Sequence, residues 1–428
     1  MKLLLRGGRI IDPLRNMDRI ADLLVDGGKV VRIEKAIAET DAGIHDVRGM
    51  WVVPGLIDMH THLREPGYEY KESIRSGCEA AVAGGFTAVA CMPNTNPVND
   101  TRSVTEYIIR QAALADIARV YPVAAVTRGS EGHILSEFGD LQEAGAVAFS
   151  DDGKPVASSA VMRYAMEYAA SFGAPVISHC EDIALSADGL MNEGRISTEL
   201  GLKGIPSIAE DISTARDIAI AEYTGTSVHI AHVSTSGAVR MIREAKQRGV
   251  RVTAETAPQY FSLSDEALRE FDTNLKMNPP LRSAEDVAAL KEGLRDGTID
   301  AIASDHAPHS SIEKEVEFEY AANGIIGLET SLALSLNLVR EGILGPADLV
   351  WKMSVNPAAI LRVRGGTLET GAPADITVID PNRSWTVDVR TFRSKSRNCP
   401  FHGWKMEGKA VLTIVGGIIK YHDDKDRS

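Results

Sequence analysis

Eight apolar or β-branched runs recur along the middle of the chain, spaced widely enough to leave room for a helix between neighbours. They are Val52-Val53, Ala88-Val89-Ala90, Val120 to Val126, Ala146 to Phe149, Pro175-Val176-Ile177, Ser227 to Val233, Val250 to Ala254 and Ala301-Ile302-Ala303. Helix-like stretches lie between several of them, at Glu72 to Ala83, Val161 to Ser171, Ile212 to Tyr223 and Gly237 to Arg248. Glycine stands just before the next run at Gly84-Gly85, Gly145, Gly173 and Gly249, and glycine is the residue that most easily closes a helix. Alternating strands and helices build a parallel sheet, and eight such units predict a (β/α)8 barrel. The two ends differ in texture. Leu3-Leu4-Leu5, Ile20 to Val25, Lys29 to Ile33, Asp375 to Ile379 and Val411 to Val415 are strand-like and separated by glycine or proline. The expectation is an α/β chain with a TIM-like barrel over 54–366 and a small β domain built from both termini, 1–53 and 367–428.

Composition narrows the chemistry. Apolar residues make up 44% and charged residues 25%, enough to bury a large core without disulfide staples. A net charge of -13 argues against nucleic acid as the main partner, because phosphate binding needs clustered positive charge. Cys78, Cys91, Cys180 and Cys399 form no CxxC pair and are expected to be reduced thiols. The apolar run at Leu3-Leu4-Leu5 is too short for a signal peptide, and Gly416-Gly417 breaks the run from Val411 to Ile419. No segment reaches the roughly 18 to 20 apolar residues of a membrane span. These features predict a cytoplasmic protein with no membrane partner, and a charged tail after Tyr421 that frays.

The polar residues of interest cluster where the strand-like runs end: Asp58-Met59-His60-Thr61-His62-Leu63-Arg64, Met92-Pro93-Asn94, Ser150-Asp151-Asp152-Gly153, Ser178-His179-Cys180-Glu181, His232, and Ser304-Asp305-His306-Ala307-Pro308-His309. In a (β/α)8 barrel the C-terminal strand ends converge on one mouth, so residues distant in sequence should meet there. His60 and His62 are spaced to share one face of a strand, as a metal requires. Taken singly, His179 and His232 read as packed histidines, Asp151 or Asp152 as turn residues, and Asp305 as a helix cap. Their coincidence at one mouth supplies nitrogen and oxygen ligands for two divalent metals, and Zn2+ suits that mixture. Such metals make hydroxide available near neutral pH for attack on an amide, and a carboxylate nearby is then needed to carry the proton. Arg64 faces the same mouth, where a guanidinium fits a substrate carboxylate bidentately; the alternative is a structural salt bridge. His229, three residues before His232, falls on the opposite face by strand parity and reads as a packed histidine.

These motifs, with Pro54-Gly55-Leu56-Ile57, Glu65-Pro66-Gly67, Gly84-Gly85-Phe86-Thr87, His229 to Ser234, Asn278-Pro279-Pro280-Leu281-Arg282 and Gly371 to Ile376, resemble the amidohydrolase superfamily and, within it, dihydroorotases of the bacterial long-chain type. The resemblance covers nearly the whole chain. It implies a barrel with a β-sandwich domain, and reversible hydrolysis of dihydroorotate to N-carbamoyl-aspartate in pyrimidine synthesis. It further implies two Zn2+ per subunit, one held by His60, His62 and Asp305 and the other by His179 and His232, with the second only partly filled. Asp152 would bridge them in place of the carboxylated lysine of many relatives. Asp305 would also be the general acid/base. Arg64, Asn94 and His309, together with His62, would form the carboxylate pocket, and Asn278 would touch the ring. Asn323 and Gly324 stand where the family often has an aromatic residue or proline before the glycine, which leaves a backbone contact as the expectation there. The alternatives are a hydantoinase, dihydropyrimidinase or allantoinase, which would not need Arg64, and an inactive homologue scaffolding aspartate carbamoyltransferase, which should have lost metal ligands. A homo-oligomer and a complex with aspartate carbamoyltransferase stay open at this level.

Overall fold

The computed structural model describes residues 2–39 and 41–423; most of the charged tail expected to fray, 424–428, lies outside them. Eight short parallel strands form the central barrel: β1 (Leu56–Thr61), β2 (Phe86–Cys91), β3 (Arg119–Ala124), β4 (Ala148–Phe149), β5 (Ile177–Ser178), β6 (Val228–Ile230), β7 (Val252–Thr256) and β8 (Ala301–Ile302). Pairing runs β1-β2-β3-β4 and β5-β6-β7-β8. A parallel bridge between Phe149 and Val176 joins the two halves, and one between Thr61 and His306 closes the ring. At that closure the His62 amide donates to the His306 carbonyl at 2.8 Å.

The side-chain period of two sorts residues to the two faces of each strand. In β2 the inward positions are Ala88 and Ala90, which pack with Ile57, Met59, Val123, Ala148, Ile177, Ala231, Ala301 and Ala303 inside the barrel. The outward positions, Val89 and Cys91, join the larger core beneath the helices. Helix ends follow from local chemistry. Ser73 caps Ile74–Ala83 through its hydroxyl, and Gly173 closes Ser159–Phe172 at φ 67°, a backbone region in which a β-carbon is strained.

One element differs from the expected assignment. Val52-Val53 is not a barrel strand. Trp51–Pro54 pairs with Ile376–Thr386 and with Leu3–Asp12, and the first barrel strand begins two residues later, at Leu56. Pro54-Gly55 breaks an apolar run that looks continuous in sequence. The β-rich segments from both chain ends form one eight-stranded sheet. Its order is Ile418–His422, Lys405–Val415, Ile376–Thr386, Trp51–Pro54, Leu3–Asp12, Met17–Asp26, Lys29–Glu34, with Gly43–Asp46 pairing beside Leu3–Asp12. It has its own core of Leu3, Leu5, Ile10, Leu23, Ile376 and Leu412. Arg119 ties it to the barrel through Asp375 at 2.7 and 3.1 Å. All four cysteines are buried and unpaired. No helix of the described residues is long and apolar enough to cross a membrane.

Candidate active site

The strand ends bring together the residues that the sequence singles out. His60 and His62 leave β1, Asp152 follows β4, His179 follows β5, His232 follows β6 and Asp305 follows β8. His60 Nε2 lies 3.4 Å from Asp152 Oδ1 and 3.6 Å from Asp305 Oδ1. His62 Nε2 is 3.1 Å from Asp305 Oδ1 and 3.5 Å from Asp152 Oδ2. His232 Nε2 is 3.4 Å from Asp152 Oδ1 and 2.7 Å from His179 Nδ1. Three residues of the site adopt left-handed backbone: Arg64 at φ 63°, His232 at φ 33° and Asp305 at φ 49°. Such conformations cost non-glycine residues roughly 1–3 kcal/mol each and concentrate where function needs a side chain re-aimed.

The cluster has the features of a cation site. Two sets of ligand atoms each lie within 4.8 Å of one another: those of His60, His62 and Asp305, and those of His60, Asp152 and His232. His60 belongs to both sets, and His179 stands at the edge of the second. His60 Nε2 and Asp152 Oδ1 are buried without a hydrogen-bond partner, a costly arrangement unless a further group occupies the space between them. Burial alone would raise the Asp152 carboxyl, but positive charge on His60 and the neighbouring imidazoles of His179 and His232 hold it well below the usual range. Imidazole nitrogens and carboxylate oxygens converging on one buried space fit a divalent metal. Asp151, the rival of Asp152, turns away as strand alternation requires and accepts from the amide and hydroxyl of Thr127.

The remaining candidates form a rim. Arg64 is partly buried; its Nε donates to the Pro308 carbonyl at 3.1 Å and its Nη2 lies 3.3 Å from His309 Nε2. Among the described residues no carboxylate bonds to it. Burial, with the positive charges of Arg64 and Lys71, pushes His309 down to about 2, so its ring is neutral and donates from Nε2 to the Asn323 carbonyl at 2.8 Å. That contact uses the backbone of residue 323, so the side chain there is not what meets His309. Gly324 follows at φ 127°, and a β-carbon on it would sit 2.6 Å from the Ala307 β-carbon, which no larger residue satisfies. Asn94 Oδ1 accepts from His62 Nδ1 at 2.8 Å. Asn278 Nδ2 donates to Glu181 Oε2 at 3.1 Å.

Sequence reasoning missed Glu255 and gave Glu181, at the end of its strand-like run, no role. Glu255 Oε1 is 2.6 Å from His60 Nδ1, and Glu181 Oε2 is 3.1 Å from His179 Nε2. A signal existed for Glu255: it is a charged residue inside a barrel strand, one position past the end of the predicted run. His229 also differs from expectation. It is buried and bonded to Thr253 Oγ1 at 2.8 Å, as a packed histidine should be, but it lies inside the barrel with Nε2 3.4 Å from Glu255 Oε2. Parity fails because the left-handed turn at His232 breaks the alternation that it assumes.

The fold and this mouth define the amidohydrolase class of barrels. The L-hydantoinase (dihydropyrimidinase) from Arthrobacter aurescens superposes with a TM-score of 0.88 at 27% identity, covering 98% of this chain and 96% of that one. The dihydropyrimidinase from Brevibacillus agri NCHU1002 gives a TM-score of 0.84 at 25% identity, covering 99% and 95%. A Dihydro-orotase-like family profile matches residues 49–238. The dihydroorotase of Syntrophus aciditrophicus is 62% identical over 99% of this chain and all of its own length. That of Geobacter sulfurreducens is 60% identical over 98% of this chain and 99% of its own. The chain belongs to the dihydroorotase family.

Proposed function

We propose that the chain hydrolyses the ring amide of dihydroorotate, reversibly, to N-carbamoyl-aspartate, using two zinc ions at the barrel mouth. The identity to dihydroorotases supports the reaction, and Arg64 carries the choice of substrate. A guanidinium set beside the ligand cluster, bonded among the described residues only to a backbone carbonyl, is matched by a carboxylate that arrives with the substrate. Hydantoins and other rings without that carboxylate leave it unmatched, which ranks the hydantoinase reading second. The intact set of His60, His62, Asp152, His179, His232 and Asp305 speaks against an inactive scaffold.

His60, His62 and Asp305 would hold one zinc and His179 and His232 the other, with Asp152 between them. Bound zinc supplies a nucleophilic water at neutral pH and polarises the ring carbonyl. Arg64, Asn94 and His309 bind the substrate carboxylate, while Asn278 and the backbone at Asn323-Gly324 border the ring. Asp305 takes the proton of the attacking water and delivers it to the leaving ring nitrogen. The same reading assigns catalysis to 54–366, the small β domain to 1–53 with 367–428, and a cytoplasmic setting to an enzyme whose partners are small molecules.

Arg64→Met tests the substrate assignment. Losing a buried charge pair costs roughly 2 to 5 kcal/mol, and partial exposure places Arg64 near about 2 kcal/mol, the lower end of that range. Dihydroorotate and N-carbamoyl-aspartate should weaken alike, while residual turnover of dihydrouracil, the same ring without the carboxylate, should change little. Equal losses with and without the carboxylate would make Arg64 a structural residue.

A further inference from the structure

Beneath the ligand cluster, three side chains stack along the barrel interior away from the mouth. Thr253 Oγ1 lies 2.8 Å from His229 Nδ1, His229 Nε2 lies 3.4 Å from Glu255 Oε2, and Glu255 Oε1 lies 2.6 Å from His60 Nδ1. His229 and Glu255 are each 1% exposed, and His60 is fully buried. His229 Nε2 and Glu255 Oε2 are buried without a hydrogen-bond partner among the described residues and face each other at 3.4 Å. We infer that Glu255 and His229 form a positioning column that fixes the ring orientation and tautomer of His60, and that the metal site His60 shares with His62 and Asp305 depends on it.

The polarity of the column follows from which groups can donate. A carboxylate only accepts, so the imidazole nitrogens facing Glu255 must both carry hydrogen. His229 is then protonated at Nε2, which leaves Nδ1 as the acceptor for the Thr253 hydroxyl. His60 is protonated at Nδ1, which leaves the lone pair of Nε2 directed at the space shared with Asp152 and Asp305. A neutral imidazole has two tautomers of similar energy, and an outer carboxylate selects one and raises the basicity of the ligating nitrogen. One nitrogen lone pair holds one metal, so a His60 ring that rotates or changes tautomer removes a ligand from the set it shares with His62 and Asp305.

His179 has its own carboxylate, but a weaker one in structural terms. Glu181 is partly exposed and divides its Oε2 between His179 and Asn278, and no buried histidine backs it. The two glutamates therefore serve different sites: Glu255 the one held by His60, His62 and Asp305, and Glu181 the one held by His179 and His232.

The inference rests on the proposed zinc sites but not on the substrate, so its test reads metal binding in the absence of any ring compound. Zinc affinity is measured by chelator competition on the wild type, Glu255→Gln, His229→Gln and Glu181→Gln, and the visible absorption of the cobalt-loaded proteins reports ligand geometry. Loss of an outer partner typically weakens metal binding roughly 10- to 100-fold. Glu255→Gln should lose that much at the site of His60, His62 and Asp305 and shift the cobalt spectrum. Glu181→Gln should instead lose affinity at the site of His179 and His232, and His229→Gln should fall between the wild type and Glu255→Gln. Thermal melting accompanies each variant; should Glu255→Gln fail to fold, the His229→Gln affinity and spectrum decide. Wild-type affinity and spectrum in Glu255→Gln, or in His229→Gln, overturn the column. Weakened metal in a protein that ignores dihydroorotate would keep the column and remove the substrate reading instead.

Discussion

Asp305→Asn should retain metal and lose most of its turnover. The amide keeps the shape of the carboxylate and one coordinating oxygen, but it cannot accept and return a proton. General acid–base assistance is worth roughly 100- to 10,000-fold, and the loss should fall in that range in both directions of the reaction. Asp305 is placed for the role. It sits 3.1 Å from His62 Nε2 at the open end of the cluster, and 8% of it remains exposed, so it can face an incoming ring. Burial alone would push its carboxyl up, but the bond from His62 and the charges of His60, His62 and His232 hold it below the ordinary value. It is therefore ready to accept a proton at neutral pH. The check is kcat alongside zinc content on the same preparation. A variant within about threefold of wild type, with full zinc, would remove Asp305 from proton transfer.

Asp152→Ala should lose both metal and activity, and Asp151→Ala should lose far less. The two carboxylates are neighbours in sequence but have opposite surroundings. Asp152 meets His60, His62, His179 and His232 between 3.4 and 3.6 Å. Asp151 is spent on Thr127, and burial raises its carboxyl to about 6 despite those bonds. Removing an outer partner of a metal ligand costs roughly 10- to 100-fold, so removing the carboxylate at the centre of the cluster should cost more than about 100-fold. Because Asp152 is an anion without any reaction with carbon dioxide, zinc reconstitution of the stripped protein should not require bicarbonate. Asp is also shorter than a carboxylated lysine, and His179 stands at the edge of the ligand sets, so the metal at His179 and His232 should be the first lost. Zinc counts on both variants, with and without bicarbonate, decide the matter. A strict bicarbonate requirement, or an inactive Asp151→Ala beside an active Asp152→Ala, contradicts this assignment.

Much of the mouth was legible because barrel topology converts sequence position into spatial position. Once eight strands are recognised, whatever follows each of them must converge, and His60, His62, Asp152, His179, His232 and Asp305 are found together without further information. Two kinds of relation were not legible. Strand parity fails where the backbone turns left-handed, which is why His229 was placed on the wrong face and why the aim of Arg64 depends on a φ of 63° rather than on its spacing from His62. Contacts between strands also leave little trace in a single chain. Glu255 and His60 are 195 residues apart, and only the oddity of a charged residue in a buried strand marks Glu255. The displaced first strand has a simpler cause: Val52-Val53 and Leu56-Ile57 form one apolar stretch, and Pro54-Gly55 divides it between two sheets.

The function proposed for this mouth is metal-assisted hydrolysis of a carboxylate-bearing ring amide. The most direct test assays one zinc-quantified preparation against dihydroorotate, N-carbamoyl-aspartate, hydantoin and allantoin, before and after metal is stripped. Interconversion of dihydroorotate and N-carbamoyl-aspartate is expected, with negligible turnover of hydantoin and allantoin and loss of activity on stripping that zinc restores. Faster turnover of hydantoin or allantoin than of dihydroorotate, or full activity in the metal-free protein, would contradict it.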